Sequence, residues 1–168
     1  DENQRYYIHH TNPLPPYCVQ VSFWDPAWAA LEDEVLELTN ERRAAGAYCG
    51  TQGSFEPAEP LVFNELLRCA ARNHSLDMGE RGFFDHVNPE GQDVAYRVGE
   101  AGYAWTMLGE NIAAGLTTAE DVVEAWMGSD GHCANIMNPR FSELGVGYYQ
   151  TDTGMYGTYW TQVFGEPY

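Results

Sequence analysis

Apolar residues recur along this chain with two periods, helical through most of its length and alternating near its end. Leu31, Val35 and Leu38 fall at i, i+4 and i+7, with Glu32, Asp33, Glu34 and Glu37 between them, which predicts an amphipathic helix. Asp25 and Pro26 supply its N-cap and first position, Arg42 and Arg43 suit its C-terminal dipole, and Gly46 can end it. Leu67, Ala70, Ala71, His74 and Met78 predict a second helix from about Asn64. His74 lies on its apolar face and is expected to be a hydrogen-bonded core histidine. A shorter helix is predicted from Asp93 to Gly102, with Val94 and Val98 inward. Gly109 to Gly115, bracketed by glycines, reads as a short strand or turn. Thr117 and Glu120 form a capping box ahead of Val122, Val123 and Trp126. Ser129 is expected to cap a further helix that stops at Asn138-Pro139. Leu144, Val146 and Tyr148 alternate, as do residues around Tyr159, Thr161 and Val163, and the loop from Thr151 to Met155 joins them as a hairpin.

Helices followed by a β-hairpin, with no βαβ alternation, predict an α+β layered domain. With 168 residues the chain suits a single domain over 25–168, preceded by an arm over 1–24. The run Asn12-Pro13-Leu14-Pro15-Pro16 is expected to pass as extended chain over the surface, pinned by Cys18. His9 and His10 in this arm read as a solvated pair. The opening Asp1-Glu2-Asn3 reads as a processed mature end, and no apolar run is long enough for a transmembrane segment.

Charge narrows the partners. The net charge is −17, and the eight cations are all arginine. Such a surface repels phosphate backbones, so nucleic acid is not expected as a partner. The charge fits a soluble secreted protein. Cys18, Cys49, Cys69 and Cys133 are widely spaced with no C-x-x-C pair, which argues for two disulfides in an oxidising compartment over a zinc finger or redox pair. Four cysteines allow three connectivities, and spacing alone leaves all three open.

Candidate chemistry concentrates where predicted helices meet irregular chain. Phe84-Asp85-His86, Gly109-Glu110-Asn111-Ile112-Ala113 and Ser129-Asp130-Gly131-His132-Cys133 supply two imidazoles and a carboxylate that can converge on one cleft. His86 and His132 suit zinc, with Glu110 beside them as a base. Each residue alone also has a structural explanation in turns and caps. Ser129 and His132 lack an orienting acid and a G-x-S-x-G elbow, so they read as local capping rather than a nucleophile pair. Cys133 reads as half of a disulfide. P-loop, G-x-G-x-x-G and H-E-x-x-H patterns are absent.

The ordered segments Asn40-Glu41-Arg42-Arg43, Ala70 to Met78, Phe84-Asp85-His86, Gly109 to Ala113, Trp126 to His132 and Tyr159 to Phe164 resemble the CAP superfamily of cysteine-rich secretory proteins, antigen 5 and pathogenesis-related 1, also called SCP domains. The chain looks most like its bacterial secreted branch. The resemblance implies a three-layer α-β-α sandwich with the C-terminal hairpin, and an extracellular setting. It also implies a Cys49–Cys133 disulfide, which leaves Cys18 to pair with Cys69. Animal and plant members carry two His and two Glu in a central cleft. His86 and Glu110 match one of each, while Ser129 stands nearest the second Glu and Tyr159 in the strand of the second His. His132 is the candidate replacement imidazole.

Three functions are therefore in play. The first is a secreted binding module with a His/Glu cleft for a small ligand, lipid, glycan, metal or protein partner. The second is a metal-dependent extracellular hydrolase or peptidase using zinc on His86 and His132. The third is a structural envelope or matrix protein.

Overall fold

A computed structural model describes residues 13–168. Its elements are α1 (Pro16–Val19), α2 (Pro26–Ala45), β1 (Ala47–Tyr48), β2 (Ser54–Phe55), β3 (Val62–Phe63), α3 (Glu65–Arg81), α4 (Val94–Ala101), β4 (Trp105–Ala114), α5 (Ala119–Met127), α6 (Asp130–Met137), β5 (Glu143–Gln150) and β6 (Thr158–Pro167). The helix boundaries follow their capping chemistry. Asp25 accepts from Ala27 N at the start of α2, and Gly46 ends that helix with φ 73°. Asn64 accepts from Leu66 N and Leu67 N to open α3.

A four-stranded sheet in the order β3-β5-β6-β4 forms the middle layer, parallel between β3 and β5 and antiparallel elsewhere. Helices cover both faces, giving the expected α-β-α sandwich with β5 and β6 as its C-terminal hairpin. Leu144, Val146, Tyr148, Trp160 and Phe164 pack on one face with Val35, Trp126 and Ile136. Val163 packs on the other with Leu67, Ala70, Ala71 and Val98. The two faces of β5 differ in kind. Leu144, Val146 and Tyr148 fill one side, while Gly145 and Gly147 leave the other bare. A Cβ on Gly145 would lie 2.1 Å from Arg68 N, and one on Gly147 would lie 2.4 Å from the carbonyl carbon of Ala71. These glycines let α3 rest directly on the strand.

Four expectations need correction. The glycine-bracketed segment is the second half of a ten-residue strand, β4, because pairing with β6 continues back to Trp105. The cap of α5 is Thr118, accepting from Asp121 N; it offers the same T-x-x-acid spacing as Thr117 one residue later. Ser129 occupies the N-cap position of α6, yet its side chain makes no capping bond. Within the arm, Pro16–Val19 is a helical turn rather than extended chain, since Pro16 stands at a first helical position where its missing N–H costs nothing. Residues 1–12, with His9 and His10, lie outside the described residues.

Two disulfides fix this frame. Cys18–Cys69 ties α1 to α3, and Cys49–Cys133 ties the turn after β1 to α6. Among the described residues there is no free cysteine, and no helix is long and apolar enough to cross a membrane.

Candidate functional site

β4 is an edge strand of the sheet, so chain from both outer layers meets it. Glu110 pairs in register with Val163 and Asn111 with Gln162, and their side chains project to opposite faces. On the α3–α4 side, the loop after α3 brings His86 to Glu110: Nδ1 donates to Oε1 at 2.8 Å. From α4, Arg97 Nη2 donates to the other oxygen, Oε2, at 2.6 Å and to the carbonyl of His86 at 3.0 Å. One guanidinium thus clamps both members of the pair. Glu110 and Arg97 are sealed, whereas half of the His86 side chain is exposed.

The electrostatics follow from this geometry. Burial alone would raise the Glu110 carboxyl, but the bond from His86 and the charge of Arg97 outweigh it and hold the group below its ordinary value. The bond to Glu110 raises the His86 imidazole against the opposing effect of burial. An ionised Glu110 accepts from Nδ1–H, which leaves Nε2 as the reactive edge of the ring. That atom can accept a hydrogen bond or a proton, or donate once His86 is charged.

The opposite face of β4 holds a buried amide relay. Asn111 Nδ2 donates to Gln162 Oε1 and to the carbonyl of His132, both at 3.1 Å. Asn135 Nδ2 reaches Asn111 Oδ1 at 2.9 Å and the Glu110 carbonyl at 3.3 Å. Gln162 Nε2 in turn donates to Thr39 Oγ1 at 2.8 Å. The relay anchors the backbone of α6 to the strand that carries Glu110. Asp130, at the start of α6, also accepts from Thr51 N at 3.0 Å and Thr51 Oγ1 at 2.7 Å. His132 is half-buried, and burial followed by the charge of His86 lowers its imidazole pKa.

Of the residues singled out in the sequence, His86 and Glu110 are bonded, and His132 stands near enough to feel the charge of His86. Ser129 begins α6 without a side-chain bond. Tyr159 is 1% exposed and packs with Met78 and Ile112, so it belongs to the core rather than to this edge. His74 is the core histidine its position predicts: Nε2 donates to the Asp85 carbonyl at 2.8 Å, and burial pushes its pKa down to about 4. It steadies the loop that carries His86. Sequence reasoning missed Arg97, Asn111 and Asn135 as parts of the site. Arg97 had a readable signal, because it shares the inward face of α4 with Val94 and Val98 at i, i+3 and i+4, and an arginine there needs a buried partner.

Zinc does not suit this arrangement. Both oxygens of Glu110 and Nδ1 of His86 are already committed, which leaves two imidazole edges where catalytic zinc sites use three protein ligands. Among the described residues no group of three or more His, Cys, Asp or Glu is arranged to hold a metal.

Comparison with known proteins fits this frame. The description of the cysteine-rich secretory protein family, CAP, matches residues 36–164. The uncharacterized protein YkwD of Bacillus subtilis is 39% identical over 137 residues, which cover 81% of this chain and 47% of that protein. The chain thus spans about half the length of that relative. An extracellular SCP-domain protein from Bacillus anthracis superposes with a TM-score of 0.70 at 24% identity, covering 86% of this chain and 44% of that one. An outer surface protein from Borrelia burgdorferi gives 0.65 at 18% identity, covering 83% and 92%. These two likenesses bear on the fold alone. The family match spans most of the chain, and the two disulfides are of the kind that oxidising compartments sustain. This chain is therefore a secreted protein of the CAP, or cysteine-rich secretory protein, family.

Proposed function

We propose that the protein is an extracellular binding module whose ligand docks at the edge of β4, against the imidazole of His86 and its neighbour His132. The observation that carries this reading is the preparation of His86. Its ring is half exposed, while the carboxylate that orients it is 3% exposed and clamped by a buried arginine. Packing alone does not require an exposed ring to be held so firmly; presenting Nε2 in a fixed direction does.

The rim supports a ligand with a polar group and an apolar body. Phe84 and Val87, beside His86 in sequence, are exposed, and the Tyr156 ring lies 5.8 Å from that of Phe84. A few convergent polar groups within apolar surroundings are the usual composition of small-ligand sites. Zinc-dependent hydrolysis is not part of the proposal, because the donor set is too small. A purely structural role leaves the buried clamp behind an exposed ring unexplained.

The test is an NMR titration of labelled protein with a fragment library, read at the imidazoles of His86 and His132. Hits are expected to shift both rings and to weaken in His86→Ala. Hits that all map elsewhere, or that bind His86→Ala equally well, contradict the proposal.

A further inference from the structure

A cavity of about 370 Å³ opens between α1, α3 and the loop that leads into α4. Small-molecule sites span about 300–1,000 Å³, so this volume lies within their range. Arg97 stands in its wall at 3% exposure. Its terminal nitrogens are committed to Glu110, to the His86 carbonyl and to the Gln92 carbonyl, but its Nε–H has no partner among the described residues. A buried N–H without an acceptor is costly, and a ligand oxygen or a bound water would relieve it.

Among the charged groups lining the cavity, Asp77, Glu80 and Glu90 outnumber Arg81 and Arg97. Arg81 binds both Asp77 and Glu90, and Glu80 accepts from the Tyr149 hydroxyl. The surplus of negative charge disfavours an anion, while these bonds occupy the carboxylates that would attract a cation. Paired amides frame the space instead: Gln20 Nε2 donates to Asn73 Oδ1, and Asn88 Nδ2 donates to Gln92 Oε1 at 2.8 Å. Tyr17 and Leu76 add apolar surface to the lining. Amides that can donate and accept, beside apolar surface, suit hydroxyl groups on a compact ring.

We infer that this cavity is a second ligand site, for a neutral saccharide, built jointly by the segment around α1 and by the domain. Tyr17 and Gln20 lie outside the 36–164 span that matches the family. The Cys18–Cys69 disulfide fixes their segment to α3, and Asn73 Nδ2 holds the Tyr17 carbonyl at 3.0 Å. Arg97 borders both this cavity and the His86–Glu110 pair, but His86 itself is not in the lining.

The experiment is an NMR titration of labelled protein with maltose and with chitobiose, read at the side-chain amides of Gln20, Asn73 and Gln92. A saturable shift with at least one sugar is expected. Gln92→Ala, at a half-buried position, should weaken binding about tenfold, in line with the loss of a hydrogen bond. Gln20→Ala, at an exposed position, should also weaken it, and His86→Ala should leave it unchanged. The absence of a saturable shift with both sugars overturns the inference. So does full affinity in both glutamine variants, or loss of binding in His86→Ala, which would move the sugar to the strand edge.

Discussion

Arg97 and Glu110 form an ion pair sealed inside the protein, with Nη2 2.6 Å from Oε2 and side chains 4% and 3% exposed. Breaking such a pair strands a charge away from water, which costs about 3–5 kcal/mol. Arg97→Ala should therefore be strongly destabilised in urea unfolding. Arg97→Lys should fall between it and the parent, because it keeps the charge but loses the fork that holds Glu110 and the His86 carbonyl together. Equal midpoints for all three proteins would mean that the clamp contributes nothing.

The buried imidazole of His74 links stability to pH. Burial lowers its pKa from 6.5 to about 4, so the unfolded chain binds a proton in that interval that the folded chain refuses. Its contribution is full above pH 6.5 and is lost as pH falls towards 4, at up to about 1.4 kcal/mol per pH unit, or about 3 kcal/mol in all. His86 works in the opposite direction. Its raised pKa contributes stability below the unfolded value, and that contribution fades as pH rises through the folded value. Urea midpoints measured across this range should show the acid loss in the parent and a shallower one in His74→Gln. An unchanged slope in the variant would assign the loss to carboxylates instead.

Two glycines should respond to alanine with opposite signs. Gly147→Ala places a methyl group 2.4 Å from the Ala71 carbonyl carbon, and backbone cannot yield as a side-chain tip can. A loss of about 3 kcal/mol is expected. Gly131, inside α6, has nothing within 4 Å of the point where a methyl group would stand, so Gly131→Ala should gain up to about 1 kcal/mol from helix propensity. Thermal unfolding of both variants checks the contrast, and a stable Gly147→Ala would refute direct seating of α3 on β5.

Arg43 is fully buried and donates to four main-chain carbonyls, those of Glu59, Ile136, Asn138 and Phe141. It joins the end of α2 to the end of α6. Lysine carries the charge but not the planar fork, so Arg43→Lys leaves carbonyls unsatisfied and should cost roughly 2–4 kcal/mol. Chemical denaturation measures this, and a parent-like midpoint would contradict the role.

These residues also mark the limit of what the sequence discloses. Local rules sufficed for α2, α3 and the terminal hairpin, since Asp25-Pro26, Asn64 and the Leu144-Val146-Tyr148 alternation act within a few residues. β3 spans only two residues, Val62 and Phe63, too few for any period, and it exists because β5 pairs beside it. In the site, His86 and Glu110 stood out as ionisable side chains in irregular chain. The amides of Asn111 and Asn135 did not, because their function depends on partners brought together only by the sheet, while the inward position of Arg97 signalled a buried partner without saying which. Arg43 misled in the same way: near a helix end it read as a dipole partner, whereas the fold uses it as a buried staple.

The most direct test of the account is the titration of the His86 ring by long-range 1H–15N NMR in the parent and in Glu110→Gln. The parent is predicted to show a raised imidazole pKa and, when neutral, the tautomer with its proton on Nδ1. Glu110→Gln removes the carboxylate whose bond raises the ring, so the pKa should fall. A His86 ring that titrates identically in both proteins, or that is neutral with its proton on Nε2, would contradict the claim that Glu110 presents this imidazole to a ligand.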